Sequence, residues 1–286
     1  MADEVISGYR LAKHMATGQS SQVWEVVELA SHRHFAMKLL LPEKVQSQEH
    51  RRTLFHEAEV AQKLTHPNII KIVKIVHEPK NPCFVMEFFP AGSLKARLLA
   101  KQSQFLREKL DDLLKQAATA LAFTNAKGWV HRDVKPDNFL ANSAGELRLI
   151  DFALATRLQK KSLLGSLFGG NKKAVGTRSY MSPEQILCEA VDGRADIYSF
   201  GATCYELVTG RPPFRGASSD ELLRKHIREA PASPRVHNPD VTEEFAGLVL
   251  QMLAKKREDR PKSFHEVLMA LRGLRVFKPE TTAKTS

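Results

Sequence analysis

The apolar residues change their spacing once along this chain, near Gly92, and that change limits the fold more than any other feature. Before it, short runs rich in β-branched and aromatic residues alternate with polar turn residues, which is the pattern of strands. Tyr9–Thr17, Ser21–Leu29, Arg33–Leu41, Ile70–His77 and Cys83–Phe88 predict five strands. One helical stretch interrupts them over 49–64, where Leu54, Glu57, Ala61 and Leu64 recur at three- and four-residue steps before His66-Pro67-Asn68. Beyond Gly92 the period is helical. Ser93 is placed to cap a short helix through Ala100, and Phe105–Lys127 is a long amphipathic helix closed by Gly128. Ala195–Thr209, Ser219–Glu229, Thr242–Ala254 and Phe264–Leu274 follow, with Leu147 and Leu149 alternating in a short strand that ends at Asp151. Strands gathered first and helices after predict an α+β chain. The first part (about 9–87) should be strands with one main helix, and the second (about 92–275) mainly helical. The last dozen residues, polar in the main, should fray.

The 286 residues suffice for such a two-part body. No apolar run approaches the ~18 residues of a spanning helix. The acidic start Met1-Ala2-Asp3-Glu4-Val5-Ile6 has no secretory pattern. Cys83, Cys188 and Cys204 are odd in number and far apart, which argues against a disulfide framework or zinc cluster and for a cytoplasmic location. Net charge is +11, and its distribution is uneven. Residues 152–183 hold six basic side chains (Arg157, Lys160, Lys161, Lys172, Lys173, Arg178) and no acidic one. Such a patch attracts acidic partners. No zinc finger, nucleic-acid aromatic signature or heptad accompanies it, so nucleic acid is the weaker reading.

Residues 131–138 read His131-Arg132-Asp133-Val134-Lys135-Pro136-Asp137-Asn138. The stretch resembles the catalytic loop of protein kinases, with the lysine two residues and the asparagine five residues after the aspartate. Further motifs follow in family order over roughly 9–275. Lys135 followed by Pro136 resembles the serine/threonine branch, and the general flavour is that of bacterial kinases of the eukaryotic type. The resemblance implies a two-lobed α+β fold, with a small antiparallel-sheet N-lobe carrying one main helix (9–87) over a larger, mainly helical C-lobe (92–275), a hinge at 87–92 and a polar tail 276–286. It implies ATP in the cleft, Mg²⁺ (Mn²⁺ as the alternative ion), and transfer of the γ-phosphoryl group to Ser or Thr of protein substrates. Such transfer depends on positioning and charge neutralisation more than on covalent help.

Site residues carry over position by position. Lys38, in Ala36-Met37-Lys38, stands where the family has its phosphate-binding lysine, inside an apolar strand where an unpaired ammonium would be costly. Its partner should be Glu57, which shares a helix face with Leu54, Ala61 and Leu64, whereas Glu59 points about 200° away. Asp133 resembles the base that orients the acceptor hydroxyl, and Lys135 the group that supports the transferring phosphate. Asn138 and Asp151 match the metal-binding positions. Met15, Val23, Ala36, Met86 and Leu140 should line the adenine slot, with Met86 as gatekeeper and Glu87 to Phe89 as the hinge. Glu184 should pair with Arg260, and Asp196 should brace the catalytic loop. Thr177 should contact Asp133 and Lys135. Phe152 belongs to Asp151-Phe152-Ala153, where the family usually has glycine third.

Two departures stand out. The glycine-rich loop reads Ala16-Thr17-Gly18-Gln19-Ser20-Ser21-Gln22-Val23, keeping only Gly18 of the usual G-x-G-x-x-G-x-V. Ala and Ser resist positive φ, so weaker nucleotide handling is expected. These changes and Ala153 motivate the alternative reading, a pseudokinase acting as a nucleotide-binding or scaffolding module. A small-molecule phosphotransferase is disfavoured by the complete Ser182-Pro183-Glu184 segment. Arg132 before the catalytic aspartate, together with the basic segment, points to charge-pairing phosphorylation at Ser162 or Ser166, introduced by a second copy of the enzyme. The same charge would favour acidic substrates, as would Ser93, which stands where arginine-preferring kinases often carry an acid.

Overall fold

Strand alternation sets the architecture of the first ninety residues. The computed structural model describes residues 4–158 and 177–279. Its sheet runs β1 (Val5–Ile6), β2 (Tyr9–Thr17), β3 (Ser21–Glu28) and β4 (His34–Leu40), then, after helix α1 (Gln48–Gln62), β5 (Ile72–Val76) and β6 (Cys83–Glu87). All pairings are antiparallel in the order β1-β2-β3-β4-β6-β5. The sheet therefore has six strands where five were predicted. The added β1 is two residues long, too short to carry a period of its own, and pairs Val5 and Ile6 with Arg10 and Tyr9.

The pleat sends alternate side chains to opposite faces. On β4, Phe35, Met37 and Leu39 join Val26, Val85 and Ile6 in a small core on the outer face. Lys38 and Leu40 take the other face, where Leu40 meets Leu54, Ala58 and Ala61 of α1 in the main core. Ser47 caps α1 by accepting from the His50 N–H.

The second lobe begins with β7 (Gly92–Ser93), α2 (Leu94–Leu99) and α3 (Ser103–Ala126). Ser93 caps α2 through the Ala96 N–H at 3.1 Å, and Gly128, at φ +80°, follows the end of α3. Four short strands come next: β8 (Trp129–Val130), β9 (Phe139–Ala141), β10 (Leu147–Leu149) and β11 (Thr156–Arg157). β9 bridges β10 and β7, and β11 pairs with β8. Of these the sequence pattern showed only β10, because runs of two or three residues have no readable period. The predicted strand also stops at Leu149, not Asp151, whose φ of +65° is incompatible with a continuing strand.

The helices α4 (Pro183–Ile186), α5 (Gly193–Thr209), α6 (Ser219–Arg228), α7 (Glu243–Met252) and α8 (Phe264–Gly273) complete the lobe. α5 is buried on every side from Ala195 to Val208 and forms the axis of the lobe. The fraying expected over the last dozen residues is not seen as far as residue 279. Val276 is buried, its N–H donates to Asp111 Oδ1 at 3.0 Å, and the Lys278 N–H donates to Asp240 O at 2.8 Å. Val276 and Phe277 are apolar residues inside a polar stretch, and they anchor it. No helix among the described residues is long and apolar enough to cross a membrane.

Candidate active site

β4 and α1 bring the first two predicted residues together. Lys38 Nζ lies 2.8 and 2.7 Å from Glu57 Oε1 and Oε2. Glu57 is buried and Glu59 exposed, as the helix-face argument requires. Burial pushes the Glu57 carboxyl up to about 7, against the pull of Lys38. Lys38 is desolvated too, yet its pKa rises because the carboxylates of Glu57 and Asp151 outweigh that loss. The two directions favour opposite states of the pair. An ammonium held by both oxygens of one carboxylate has the geometry of an ion pair, and that decides for the charged form.

The catalytic-loop residues converge on one carboxylate. Asp133 Oδ2 accepts from Lys135 Nζ at 2.6 Å and from Asn138 Nδ2 at 3.2 Å. Asp133 Oδ1 accepts from the Thr177 hydroxyl at 2.9 Å and the Thr177 N–H at 3.3 Å. Lys135 Nζ also donates to Thr177 Oγ1 at 2.8 Å, closing a triangle. Asn138 gives its amide hydrogens to the Asp133 carbonyl (2.7 Å) and carboxylate, so its Oδ1 has no donor among the described residues.

Asp196, fully buried on α5, holds this loop from beneath. Its Oδ2 accepts from the His131 N–H and its Oδ1 from the Arg132 N–H, both at 2.8 Å. Asn125 Nδ2 adds a third donor at 3.2 Å. Burial raises the Asp196 pKa, while His131 and these donors oppose it. The clamp holds Arg132 at φ +68°, a conformation an arginine does not choose by itself. Gln185 Nε2 donates to the Arg132 carbonyl at 2.9 Å and links the loop to α4. Glu184 receives Arg260 through both oxygens at 2.8 and 3.0 Å, with both side chains buried.

Asp151 lies within the field of Lys38. Burial alone would raise its carboxyl, but Lys38, with smaller help from His131, the Ala153 N–H and Lys135, holds it below the usual value. The ionised form is thereby favoured. Among the described residues no three His, Cys, Asp or Glu side chains form a metal cluster. The donors on offer are one carboxylate, Asp151, and the free amide oxygen of Asn138. That set suits Mg²⁺, which takes few protein ligands and fills its shell with phosphate oxygens and water. Phe152, fully buried beside this site, has its ring 4.8 Å from that of His131.

The adenine-slot residues fall as follows. Register pairs Ala16 with Val23, Val23 with Lys38, and Ala36 with Met86, so these side chains share the face that carries Lys38. Met15 is the extra residue of a bulge between His14 and Ala16 and is 42% exposed. Leu140, on β9, is half-buried against the main core. The Glu87 side chain turns away to the Lys71 N–H (3.0 Å) and Arg148 Nε (3.1 Å). Phe89 is buried under the Arg148 guanidinium, and its backbone N–H and C=O make no hydrogen bond among the described residues. Backbone groups left without a protein partner are open to a ligand, and a purine edge is a fitting one.

The altered glycine-rich loop carries no strain. Neither Ala16, Gly18 nor Ser21 sits at positive φ, and neither does Ala153. The Gly18 N–H closes the hairpin on Ser21 O at 2.8 Å. None of the replaced positions calls for positive φ in this conformation. The candidate phosphosites Ser162 and Ser166, with Lys160, Lys161, Lys172 and Lys173, lie outside the described residues. Sequence reasoning gave no role to the buried Glu206, whose carboxylate takes Lys95 Nζ at 2.6 Å and the Tyr180 hydroxyl. These partners stand too far apart in the chain for spacing to show them.

Comparison with known proteins gives the family of the chain. The model of the protein kinase domain matches residues 9–270. A probable serine/threonine-protein kinase of Clostridium acetobutylicum is 29% identical over 93% of this chain and 40% of its own length. A probable serine/threonine-protein kinase of Streptomyces coelicolor is 30% identical over 91% of this chain and 38% of its own. Serine/threonine-protein kinase PknB of Mycolicibacterium smegmatis is 31% identical over 91% and 41%. The chain thus spans about two fifths of the length of these relatives. With the family model covering nearly all of the sequence, the chain belongs to the protein kinase domain family.

Proposed function

We propose that this chain binds ATP with Mg²⁺ and transfers the γ-phosphoryl group to Ser or Thr hydroxyls of protein substrates. The observation that carries the reading is the Asp133–Lys135–Thr177 triangle, together with the Lys38–Glu57 contact within the first lobe. Residues 9–275 form the catalytic unit in this reading, with the hinge at 87–92 and a cytoplasmic location. The adenine edge would meet the free backbone groups of Phe89. Lys38, held by Glu57, would bind the α- and β-phosphates. Asn138 and Asp151 would hold Mg²⁺, which supplies charge neutralisation on the phosphates. Asp133, aimed by Asn138 and Thr177, would take a hydrogen bond from the acceptor hydroxyl and receive its proton. Lys135 would offset the charge that develops on the transferring group.

Nothing in the backbone favours the pseudokinase alternative, because the replaced glycines are not at positions that need positive φ. Two refinements belong to the same reading. Arg132 Nε is buried with no partner among the described residues, which suits a phosphate introduced on the segment that carries Ser162 and Ser166. The basic excess there favours acidic substrates.

The test is phosphate transfer from Mg-ATP to a generic protein acceptor, with sites mapped by mass spectrometry. Transfer should require Mg²⁺ and fall by about 10²–10⁴ in Asp133→Asn. Equal labelling by wild type and Asp133→Asn would remove the reading.

A further inference from the structure

α1 carries a second polar residue beside Glu57, and its partner lies in the other lobe. His56 Nε2 is 2.8 Å from the backbone carbonyl oxygen of Ala155. A carbonyl only accepts, so Nε2 bears the hydrogen and donates, whatever the state of Nδ1. Among the described residues this is the only hydrogen bond from α1 to the second lobe.

The far end of the contact is well fixed. The Ala155 N–H donates to Phe152 O at 3.1 Å, and the Ala155 side chain is buried. The next residues, Thr156 and Arg157, pair with Val130 and Trp129. The Leu158 N–H donates to Gly128 O at 2.9 Å. The Arg157 guanidinium lies 4.4 Å from the centre of the Trp129 ring, and the His56 ring meets that tryptophan edge-on at 6.1 Å. Residues 155–158 are thus bonded to the second lobe on one side and to α1 on the other.

We propose that His56 is a positioning residue for Glu57. Neighbouring residues on a helix point about 100° apart. One turn of α1 therefore grips Lys38 through Glu57 and the stretch just beyond Asp151 through His56. The Ala155 carbonyl is the fixed point that sets how far α1 rotates and how near it sits to β4. Any shift of residues 155–158 is passed to the Lys38–Glu57 contact through this bond. The tether needs no charge on the histidine and no phosphate on the chain. Its effect on turnover rests on the kinase reading, but its effect on α1 does not.

Two substitutions separate the parts of the contact. His56→Phe keeps a ring against Trp129 and removes the donor. His56→Gln keeps an N–H donor and removes the ring. The first readout is amide hydrogen exchange over residues 48–62 in the full chain. Exchange should be about fivefold faster in His56→Phe, the effect of losing one net hydrogen bond, and near wild type in His56→Gln. The second readout is steady-state phosphate transfer. In His56→Phe, kcat should fall about fivefold with the KM for ATP within about twofold, because the adenine-facing residues lie off α1, and His56→Gln should restore it. Unchanged exchange in His56→Phe, or equal impairment of both variants, overturns the proposal. If the wild type transfers no phosphate, the kinase reading fails and the exchange result still decides the tether.

Discussion

His226 provides a test of the packing of the second lobe that needs no substrate. It lies fully buried on α6. Its Nδ1 is 3.0 Å from the Tyr198 hydroxyl, and the Phe214 ring stands edge-on to it at 4.9 Å. Its Nε2 has no partner within hydrogen-bond geometry among the described residues. Lys255 Nζ donates to the His226 carbonyl at 2.9 Å, which brings a positive charge close to the ring. Burial first, and Lys255 second, push its pKa down to about 3, with only the Ser179 backbone opposing. In the unfolded chain the same imidazole titrates near its ordinary 6.5. Above that pH both states are neutral and the residue adds no pH dependence. Below it the unfolded chain binds a proton that the folded chain refuses, so stability falls by about 1.4 kcal/mol per pH unit until about pH 3. Between pH 6.5 and 5 the loss is about 2 kcal/mol. Replacing His226 by Leu removes the titration while keeping an apolar side chain. Urea unfolding of both proteins at pH 7.5 and 5.0 should show the wild-type advantage shrinking by about 2 kcal/mol at the lower pH. If the two proteins lose stability in parallel, the reasoning is refuted.

Two further substitutions probe the supports of the site. Arg260 donates to Glu184 and to the carbonyls of Ala254, Arg194 and Lys255, a fan that a lysine cannot reproduce. Arg260→Lys should destabilise by about 3 kcal/mol, seen as a melting temperature lower by about 5 °C, and a loss below about 2 °C would show that the buried pair is not a support. At Gly201 an added Cβ would stand 2.8 Å from Met252 Cβ, where α5 crosses α7. Gly201→Ala should therefore destabilise by about 1–3 kcal/mol in chemical denaturation, despite the better helix propensity of alanine. A stabilised variant would mean that α7 yields without strain.

Much of the site could be read in the sequence because its parts are local. Asp133, Lys135 and Asn138 lie within six residues, and Glu57 was separated from Glu59 by helix periodicity alone. The lysine of β4 was placed by the apolar residues around it, since alternation gives Lys38 the face opposite Phe35 and Met37. The replaced glycines were read as a handicap to nucleotide handling, and the backbone bears on one part of that reading, the demand for positive φ. Residue type limits which φ a position can adopt, but only the folded backbone shows whether positive φ is needed, and at Ala16, Ser21 and Ala153 it is not.

The sequence determined which side chains could do chemistry and which helix or strand face each would occupy, because pattern and propensity act over a few residues. Tertiary structure alone decided the contacts that make those side chains a site. Asp196 reaches the His131 and Arg132 amides across more than sixty residues, Thr177 joins Asp133 across forty-four, and His56 meets Ala155 across ninety-nine. Such pairings leave no trace in local spacing. They form only when burial of α5 and of the sheet fixes the backbones that carry them, since a buried carboxylate or amide must then find its partner wherever the packed chain supplies one.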